Sequence, residues 1–216
     1  MPSIREHCCG ADRFFDQAKA AKQYRQYLKK GARKATAALI NQLSALDING
    51  KTLVDIGGGI GALQWWFLQQ GGQRTIDIDA SSGYLQIARE HATRQGWQTK
   101  TDFLEGDCTQ ILPQLDEVDI ITLDKVICCY PDYREILAAT CRKASTCIAL
   151  TYPLDGALAQ AVRNLGVLFF KLMDNPFRPY IHRVAEVRHI LAEHGFSRQQ
   201  HQVVFPWHVE TYLKEN

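Results

Sequence analysis

The residues of this sequence that could do chemistry are a glycine run and four aspartates around it. The run GGGIG covers residues 57–61, Asp55 precedes it, and Asp79, Asp107 and Asp124 come later in the chain. Glycines at a strand-to-helix turn let a ligand approach the backbone at a helix N-terminus. A carboxylate at the end of a second strand can accept hydrogen bonds from both hydroxyls of a ribose. The pattern therefore predicts a ligand that contains adenosine.

The glycine run fits two ligand classes. As G-x-G-x-x-A, ending at Ala62, it is typical of a dinucleotide site; as D-x-G-x-G-x-G, starting at Asp55, it matches motif I of methyltransferases. A carboxylate at residue 55 would repel a pyrophosphate, but it can help to accommodate the ammonium of a methionine moiety, directly or through water. Asp79 suits either ligand. The charge of Asp55 therefore favours the methyltransferase pattern, and an NAD-dependent oxidoreductase stays open as the alternative.

Strands and helices alternate from residue 51 onward, and this alternation must position the acids. Short apolar runs are separated by helical segments of ten to fifteen residues, namely KTLVDI, QRTIDID, KTDFLEGD, VDIITLD and STCIALTYP, with a closing strand pair over residues 197–213. The pattern predicts an α/β fold with a doubly wound, mainly parallel, seven-stranded Rossmann-like sheet. Such sheets bind ligands beyond the carboxyl ends of their strands.

Residues before this alternating region have a helical period instead. The apolar residues between 13 and 46 predict an N-terminal helical extension over residues 1–49, followed by one folded domain over residues 50–216. A chain of 216 residues leaves no room for a second full catalytic domain. The apolar surface of the N-terminal helices can form a lid over the site or the interface of a homodimer.

The motifs over residues 50–215 resemble those of class I S-adenosylmethionine-dependent methyltransferases. The resemblance implies S-adenosyl-L-methionine as the cofactor, S-adenosyl-L-homocysteine as the product, and in-line transfer of a methyl group. In the family pattern, the glycines let the backbone approach the cofactor, one carboxylate holds the ribose, and another reads the adenine together with the next amide. The implied cofactor contacts are Asp55, Gly57, Gly58, Gly59, Gly61, Asp79, Ala80, Asp107, Cys108 and Asp124.

The segment after the fourth strand is where this family lines the methyl-transfer centre. It reads LDKVICCYP over residues 123–131 and lacks the N-P-P-Y tetrad of methyltransferases that act on amino groups of nucleobases or glutamine. Methyl transfer needs a base only when the acceptor enters protonated. The candidate catalytic residues are Tyr130 and Asp124 from this segment, and His182 from an aromatic, proline-flanked stretch.

The C-terminal half also resembles the magnesium-protoporphyrin O-methyltransferases and their bacterial relatives. The shared features are a Tyr-Pro after the fourth strand, a long helix, and RPYIH at residues 178–182. Where that family has His-Tyr-Pro, this chain has Cys129-Tyr130-Pro131. The missing histidine leaves a non-catalytic, cofactor-binding member of the fold as a further alternative.

Charge and composition limit the partners. With 25 basic and 23 acidic residues scattered along the chain, neither a nucleic acid nor an anionic membrane is the expected partner. No apolar run is long enough to span a bilayer, which favours a cytoplasmic protein. The apolar helical face formed by Leu158, Val162, Leu165, Phe169 and Leu172 is expected to pack on the sheet edge or to roof the acceptor. We therefore expect a small, apolar or aromatic methyl acceptor.

Seven cysteines without C-x-x-C spacing predict reduced thiols and no metal site. The pairs Cys8-Cys9 and Cys128-Cys129 are expected chiefly as small apolar side chains, with a soft-metal or nucleophile role as the alternative.

Overall fold

The computed structural model describes residues 4–215, except the side chains of residues 4, 5, 7 and 158. One seven-stranded sheet has the order β3-β2-β1-β4-β5-β7-β6. All its strands run parallel except β7, which pairs antiparallel with β5 and β6. The strands are β1 (Thr52–Ile56), β2 (Arg74–Asp79), β3 (Thr101–Glu105), β4 (Val118–Asp124), β5 (Ala144–Pro153), β6 (Phe196–Val204) and β7 (Trp207–Lys214). The predicted doubly wound, mainly parallel, seven-stranded sheet is confirmed.

Three helices precede the sheet, and further helices cover its two faces. The first group is α1 (Ile4–Phe14), α2 (Gln17–Lys30) and α3 (Lys34–Leu43). The later helices are α4 (Ala62–Gln69), α5 (Ser82–Arg94), α6 (Cys108–Ile111), α7 (Tyr133–Lys143), α8 (Ala157–Leu172) and α9 (Val184–Glu193). Within residues 4–215, none of the helices has the length and apolar character that crossing a membrane requires.

The strand order reverses between β1 and β4, and this reversal positions the site. From β1 the sheet continues through β2 to β3 on one side and through β4 to β5 on the other. The connections that follow β1 and β4 therefore diverge and leave a crevice at their carboxyl ends. Most side chains of the central strands are apolar and buried because helices cover both faces of the sheet, and Val54 and Ile121 are fully buried.

The N-terminal helices are attached to the sheet and to its helices through separate apolar contacts. Helix α3 buries Ala35, Leu39 and Leu43 against residues of β5 and β7. Helix α2 places Tyr24 and Tyr27 edge-on to Trp65 of α4, with ring centroids 5.9 and 5.1 Å apart. These contacts hold α2 and α3 above the crevice, although the division at residue 49 stays a prediction.

The apolar face predicted on α8 does not pack. Val162, Leu165, Phe169 and Leu172 are 49–78% exposed, so the expectation that they cover the sheet edge or roof an acceptor is wrong. The helix instead turns Phe170 inward, where its ring meets Phe14 of α1 at 4.7 Å and Phe177 at 4.9 Å. This aromatic cluster holds the inner side of α8 and leaves the predicted stripe facing outward. The side chain of Leu158 lies outside the described residues.

Candidate active site

A cavity of about 930 Å³ lies at the carboxyl ends of β1, β2, β3 and β4. Its floor is the glycine turn after β1, and its other walls come from the ends of β2 and β3, the segment after β4, and the α2–α3 turn. Of the residues proposed from sequence, the cavity wall contains Asp55, Gly57, Gly58, Gly59, Asp79, Ala80, Asp107, Cys108, Asp124 and Tyr130. The fold therefore brings together residues that are up to 75 positions apart in the chain, as from Asp55 to Tyr130.

The glycine turn has a shape that side chains would destroy. Gly57 has φ +62° and donates its N–H to the carbonyl of Ile78 at 2.7 Å. A Cβ at this position would lie 2.7 Å from Cγ2 of Val126 across the crevice. Residue 57 must therefore be glycine both for its left-handed backbone and for the close approach of the opposite wall. Gly61, the last glycine of the run, stands at the N-terminus of α4 and outside the cavity wall.

Asp79 at the end of β2 is held by the turn that it faces. Its Oδ2 accepts a hydrogen bond from the N–H of Gly59 at 3.0 Å, and its Oδ1 accepts one from the N–H of Ser81 at 2.8 Å. Burial raises the pKa of Asp79 to about 6, although these backbone hydrogen bonds act in the opposite direction. The carboxylate is thus fixed in orientation, and each oxygen keeps a lone pair for another donor.

Asp107 at the end of β3 has one satisfied and one unsatisfied oxygen. Its Oδ1 accepts hydrogen bonds from the N–H of Thr109 at 3.0 Å and from the hydroxyl of Tyr130 at 2.7 Å. Its Oδ2 is buried and has no donor among the residues that the structure describes. A buried acceptor without a donor is costly, so this oxygen is positioned for a donor from a ligand. Cys108 follows it and begins α6.

Asp55 is part of a buried acidic cluster beneath the glycine turn. The residue is 1% exposed, and its carboxylate accepts hydrogen bonds from the hydroxyl of Thr122 at 2.6 Å and from Nε2 of Gln64 at 3.3 Å. Burial raises its pKa to about 7. Asp77 stands beside it in register on β2 and is fully buried; burial, followed by the charges of Asp79 and Asp55, raises the pKa of Asp77 well above its usual value.

Asp124 links the end of β4 to helix α3. It forms a salt bridge with Nζ of Lys125 at 2.7 Å and accepts hydrogen bonds from the hydroxyls of Thr36 and Thr151. The hydroxyl of Thr36 in turn accepts a hydrogen bond from Nζ of Lys125 at 2.9 Å. Lys125 adopts φ +65°. Its side chain joins this network, and the residues that follow it line the cavity wall. The network fixes α3 against the segment where an acceptor would lie.

The remaining two candidate catalytic residues have different surroundings from those expected. Tyr130 lines the cavity, but its hydroxyl is bound to Asp107 and Thr109, and burial together with Asp107 raises its pKa far above the usual value. His182 is not among the cavity-lining residues of the described chain. Its Nε2 lies 2.8 Å from the carbonyl of Ile127, and its ring stacks on Tyr133 at 3.9 Å. Burial lowers the pKa of His182. Through its contact with the carbonyl of Ile127, the ring supports the segment after β4 without lining the cavity.

Several site residues escaped the sequence reasoning. Asp77 had a signal, because the alternation in IDID places it on the same strand face as Asp79. Thr36 and Lys125 had none, since they are 89 positions apart and meet only through the packing of α3. Cys8 and Trp207 also reach the cavity from the two ends of the chain.

Comparison with known proteins agrees with this geometry. Residues 53–145 match a family model described as a methyltransferase domain. The ribosomal protein L11 methyltransferase of Aliivibrio salmonicida (strain LFI1238) is 29% identical over 131 residues, which are 61% of this chain and 40% of that protein. The protein of the same name from Yersinia pestis is 41% identical over 66 residues, 31% of this chain and 22% of its own. The chain thus spans less than half the length of these curated relatives.

Solved structures resemble this fold over more of its length. A magnesium protoporphyrin IX methyltransferase from Synechocystis PCC 6803, crystallised with bound SAH, superposes with a TM-score of 0.73 at 16% identity, covering 95% of this chain and 98% of that one. An O-methyltransferase family protein from Burkholderia thailandensis gives a TM-score of 0.67 at 13% identity, with 93% and 63% coverage. At these identities the likeness shows the fold.

Proposed function

We propose that this chain, which belongs to the class I S-adenosylmethionine-dependent methyltransferases by its matched domain and its fold, binds S-adenosyl-L-methionine and methylates a small, apolar or aromatic molecule. The observation that carries the proposal is the convergence of the glycine turn, Asp79 and Asp107 on one cavity. These three features follow three adjacent parallel strands, which is the arrangement that an extended adenosine ligand requires.

The residues present fit this cofactor. The Oδ2 of Asp107 is a buried acceptor that lacks a donor among the described residues, and the exocyclic amine of an adenine supplies one. The fixed carboxylate of Asp79 can accept the two hydroxyls of a ribose. Gly57 and Gly59 have positive φ angles, and this glycine turn presents its backbone at the cavity wall. The bound cofactor supplies the methyl group on its sulfonium.

The protein's own contribution to the reaction is to hold the acceptor. Most of the acceleration in such a transfer comes from placing nucleophile, carbon and leaving group in line. Asp124 and Tyr130 stand on the segment after β4, where they can orient an acceptor at the cavity wall. His182 acts through that segment, because it holds the carbonyl of Ile127. It is therefore a positioning residue in this proposal.

A small acceptor in the cytoplasm agrees with the cavity and with the charge of the chain. A volume of about 930 Å³ is at the upper end of ordinary ligand sites and has room for a cofactor and a second small molecule. Aromatic side chains at its wall, including Phe15, Tyr27 and Trp207, offer stacking surfaces. The competing acceptor is a protein, which the name of the L11 methyltransferase relatives suggests.

The test is transfer of an isotope-labelled methyl group. The purified chain is incubated with labelled S-adenosyl-L-methionine and a cell extract, and the extract is then separated into metabolites and macromolecules. We expect label in one or a few apolar metabolites, and much less of it with Gly57→Ala at the same cofactor concentration. Label only in protein would replace the small acceptor by a protein. Cofactor binding without label in either fraction would indicate a non-catalytic member of the fold.

A further inference from the structure

Cysteines are concentrated at the cavity. Four of the seven thiols line its wall, contributed by α1, by the start of α6 and by the segment after β4: Cys8, Cys108, Cys128 and Cys129. The other three lie in the core or on the surface: Cys141, Cys147 and Cys9. None of the seven is in a disulfide. Cofactor binding as proposed above uses the backbone of Cys108 and has no role for the remaining cavity thiols.

The neighbouring thiols of Cys128 and Cys129 point in the same direction. They belong to a single turn of 3-10 helix, Ile127–Cys129, and their Sγ atoms are 3.7 Å apart. Both thiols donate to one acceptor, the carbonyl of Lys125, at 3.3 and 3.6 Å. Two sulfurs bonded to one soft centre at about 2.3 Å would be about 3.3 Å apart for a bond angle near 90° and about 3.8 Å apart for a tetrahedral angle. The pair therefore already has the spacing of a chelate.

A metal cation does not fit this pair well. A structural zinc ion needs four ligands. Among residues 4–215, one group of three possible ligands has its donor atoms within 4.8 Å of one another, and it is His201, His208 and Glu210 at the β6–β7 hairpin. Among the side chains that the structure describes, no third ligand of this kind accompanies the two thiols.

The hairpin group is occupied by other partners. Glu210 is fully buried and receives hydrogen bonds from Tyr152 at 2.7 Å, Arg188 at 2.5 Å and Arg198 at 3.2 Å. Burial alone would raise the pKa of Glu210, but these and the Tyr212 hydrogen bond lower it. Its charge is already balanced by arginines, so the dithiol is the better candidate for a ligand site.

The state of the thiols selects the ligand. Both thiols donate their S–H to the carbonyl of Lys125, so the pair faces the cavity in the thiol form. The hydrogen bond with Cys129, followed by burial, also raises the pKa of Cys128 well above its usual value. A neutral metalloid hydroxide can react with protonated thiols because its own hydroxide groups take up the protons.

We propose that Cys128 and Cys129 form a chelating site for a neutral, trivalent metalloid hydroxide of the arsenous acid class. In the binding step, two As–O bonds break and two As–S bonds form. The two thiol protons leave with the two hydroxides as two molecules of water, and arsenic stays trivalent. The chemistry needs no other reactant. The two thiols lie on the wall of the cavity described above, but their binding of arsenic does not depend on the proposed methyl transfer.

Arsenous acid itself is the probe for this site. The reduced full-length chain is mixed with sodium arsenite at neutral pH, and the adduct is measured by native mass spectrometry and by calorimetric titration. We expect one arsenic per chain, released by excess dimercaptopropanol. Either Cys128→Ser or Cys129→Ser should weaken binding by about 100-fold or more, because the second bond of a chelate is effectively intramolecular.

Control variants locate the adduct. Cys9→Ser removes one thiol of the vicinal pair at residues 8 and 9, and Cys147→Ala removes a core thiol; both should bind arsenic as the wild type does. Loss of the adduct in Cys9→Ser, or an unchanged adduct in both cavity variants, would overturn the proposal, as would a wild type that forms none. Cys129 is half-buried, so its serine variant is expected to fold, and an unchanged melting temperature verifies this.

The same samples are titrated with S-adenosyl-L-homocysteine. Arsenic bound without S-adenosyl-L-homocysteine would contradict the cofactor proposal and support the dithiol site. The nucleoside bound without arsenic would overturn the dithiol site alone.

Discussion

The two sides of the cavity are built in different ways. The cofactor side consists of the glycine turn at residues 57–61 and the carboxylates of Asp55, Asp79 and Asp107, each at or next to the end of a parallel strand. The acceptor side consists of the α2–α3 turn, the segment over residues 124–130 and Trp207. On the first side, the strand ends and the backbone hydrogen bonds of the turns that follow them position most of these residues. On the second, side-chain contacts between distant segments do.

The two sides of the cavity therefore differ in what holds their residues in place. The cofactor side accepts buried, costly carboxylates because the sheet holds them, as the raised pKa values of Asp55 and Asp79 indicate. The acceptor side depends on a few contacts, such as that between Thr36 and Asp124 at 2.6 Å. Substitutions on the two sides should therefore affect different measurements.

The cost of the buried acids can be measured through the dependence of stability on pH. A carboxyl with a raised folded pKa binds more protons when folded, so its contribution is present below about pH 4 and is lost as pH rises through the folded pKa. With its pKa at about 7, Asp55 should lower the free energy of unfolding by about 3 kcal/mol as the pH rises from 5 to 8. Asp55→Asn should remove that fall in denaturant titrations at pH 5 and pH 8.

Asp119→Asn is the matched control, because hydrogen bonds from Thr52 and Lys51 outweigh burial and lower the pKa of Asp119. Its removal should leave the fall between pH 5 and pH 8 unchanged. An equal fall in Asp55→Asn and the wild type would show that Asp55 carries no such cost.

Gly57→Ala should damage the cofactor side most directly. The added Cβ would meet Val126 at 2.7 Å and force a left-handed conformation on alanine. We expect the affinity for S-adenosyl-L-homocysteine to fall about 100-fold, equivalent to about 2.7 kcal/mol. Gly96→Ala has the same kind of backbone, with φ +73°, and no atom within 4 Å. Gly96→Ala should therefore lose stability but keep its affinity for S-adenosyl-L-homocysteine. Equal losses of affinity in both variants would refute the role of the contact between residue 57 and Val126.

Asp79→Asn tests the ribose contact and its charge. The amide keeps one acceptor and the shape of the side chain, so we expect a weakening of about 30-fold, or about 2 kcal/mol, in calorimetry. The wild-type affinity should also decline as pH falls below about 6, because protonation of Asp79 removes an acceptor. Asp102 on β3 is the exposed ion-pair partner of Arg74. The control variant Asp102→Asn should change the affinity less than about twofold. If Asp79→Asn binds S-adenosyl-L-homocysteine as tightly as the wild type does, the carboxylate of Asp79 does not contact the ligand.

Thr36→Val tests the attachment on the acceptor side, and its effect should be the smallest. Valine has the same shape and removes the hydroxyl that links Asp124 to Lys125. We expect the free energy of unfolding to fall by about 1 kcal/mol, with cofactor affinity within about twofold of the wild type. A large loss of cofactor affinity instead would show that the two sides are not separable.

The sequence predicted which residues meet at the carboxyl ends of β1, β2 and β3, but it did not predict the surroundings of α8 and His182, for a physical reason. Asp79 and Asp107 follow short apolar strands, and the ends of parallel strands must meet at one edge of a sheet. The outer stripe of α8 has helical spacing, but spacing alone does not say which partner covers it; Phe14 and Phe177 engage Phe170 and leave Leu172 exposed.

The same reason applies to single residues. His182 was expected at the pocket from its aromatic surroundings, but its Nε2 is bound to a backbone carbonyl behind the wall. The contact of Thr36 with Lys125 has no local signal, because it depends on how α3 packs on β5 and β7.

Calorimetric titration of the folded chain with S-adenosyl-L-homocysteine, with NAD⁺ and NADH as competitors, tests the central claim most directly. We predict one site per chain with micromolar affinity for S-adenosyl-L-homocysteine. Gly57→Ala should lose about 100-fold of that affinity, and the dinucleotides should not displace the ligand. Tighter binding of NAD⁺ or NADH, or no heat with S-adenosyl-L-homocysteine from protein shown to be folded, would contradict it.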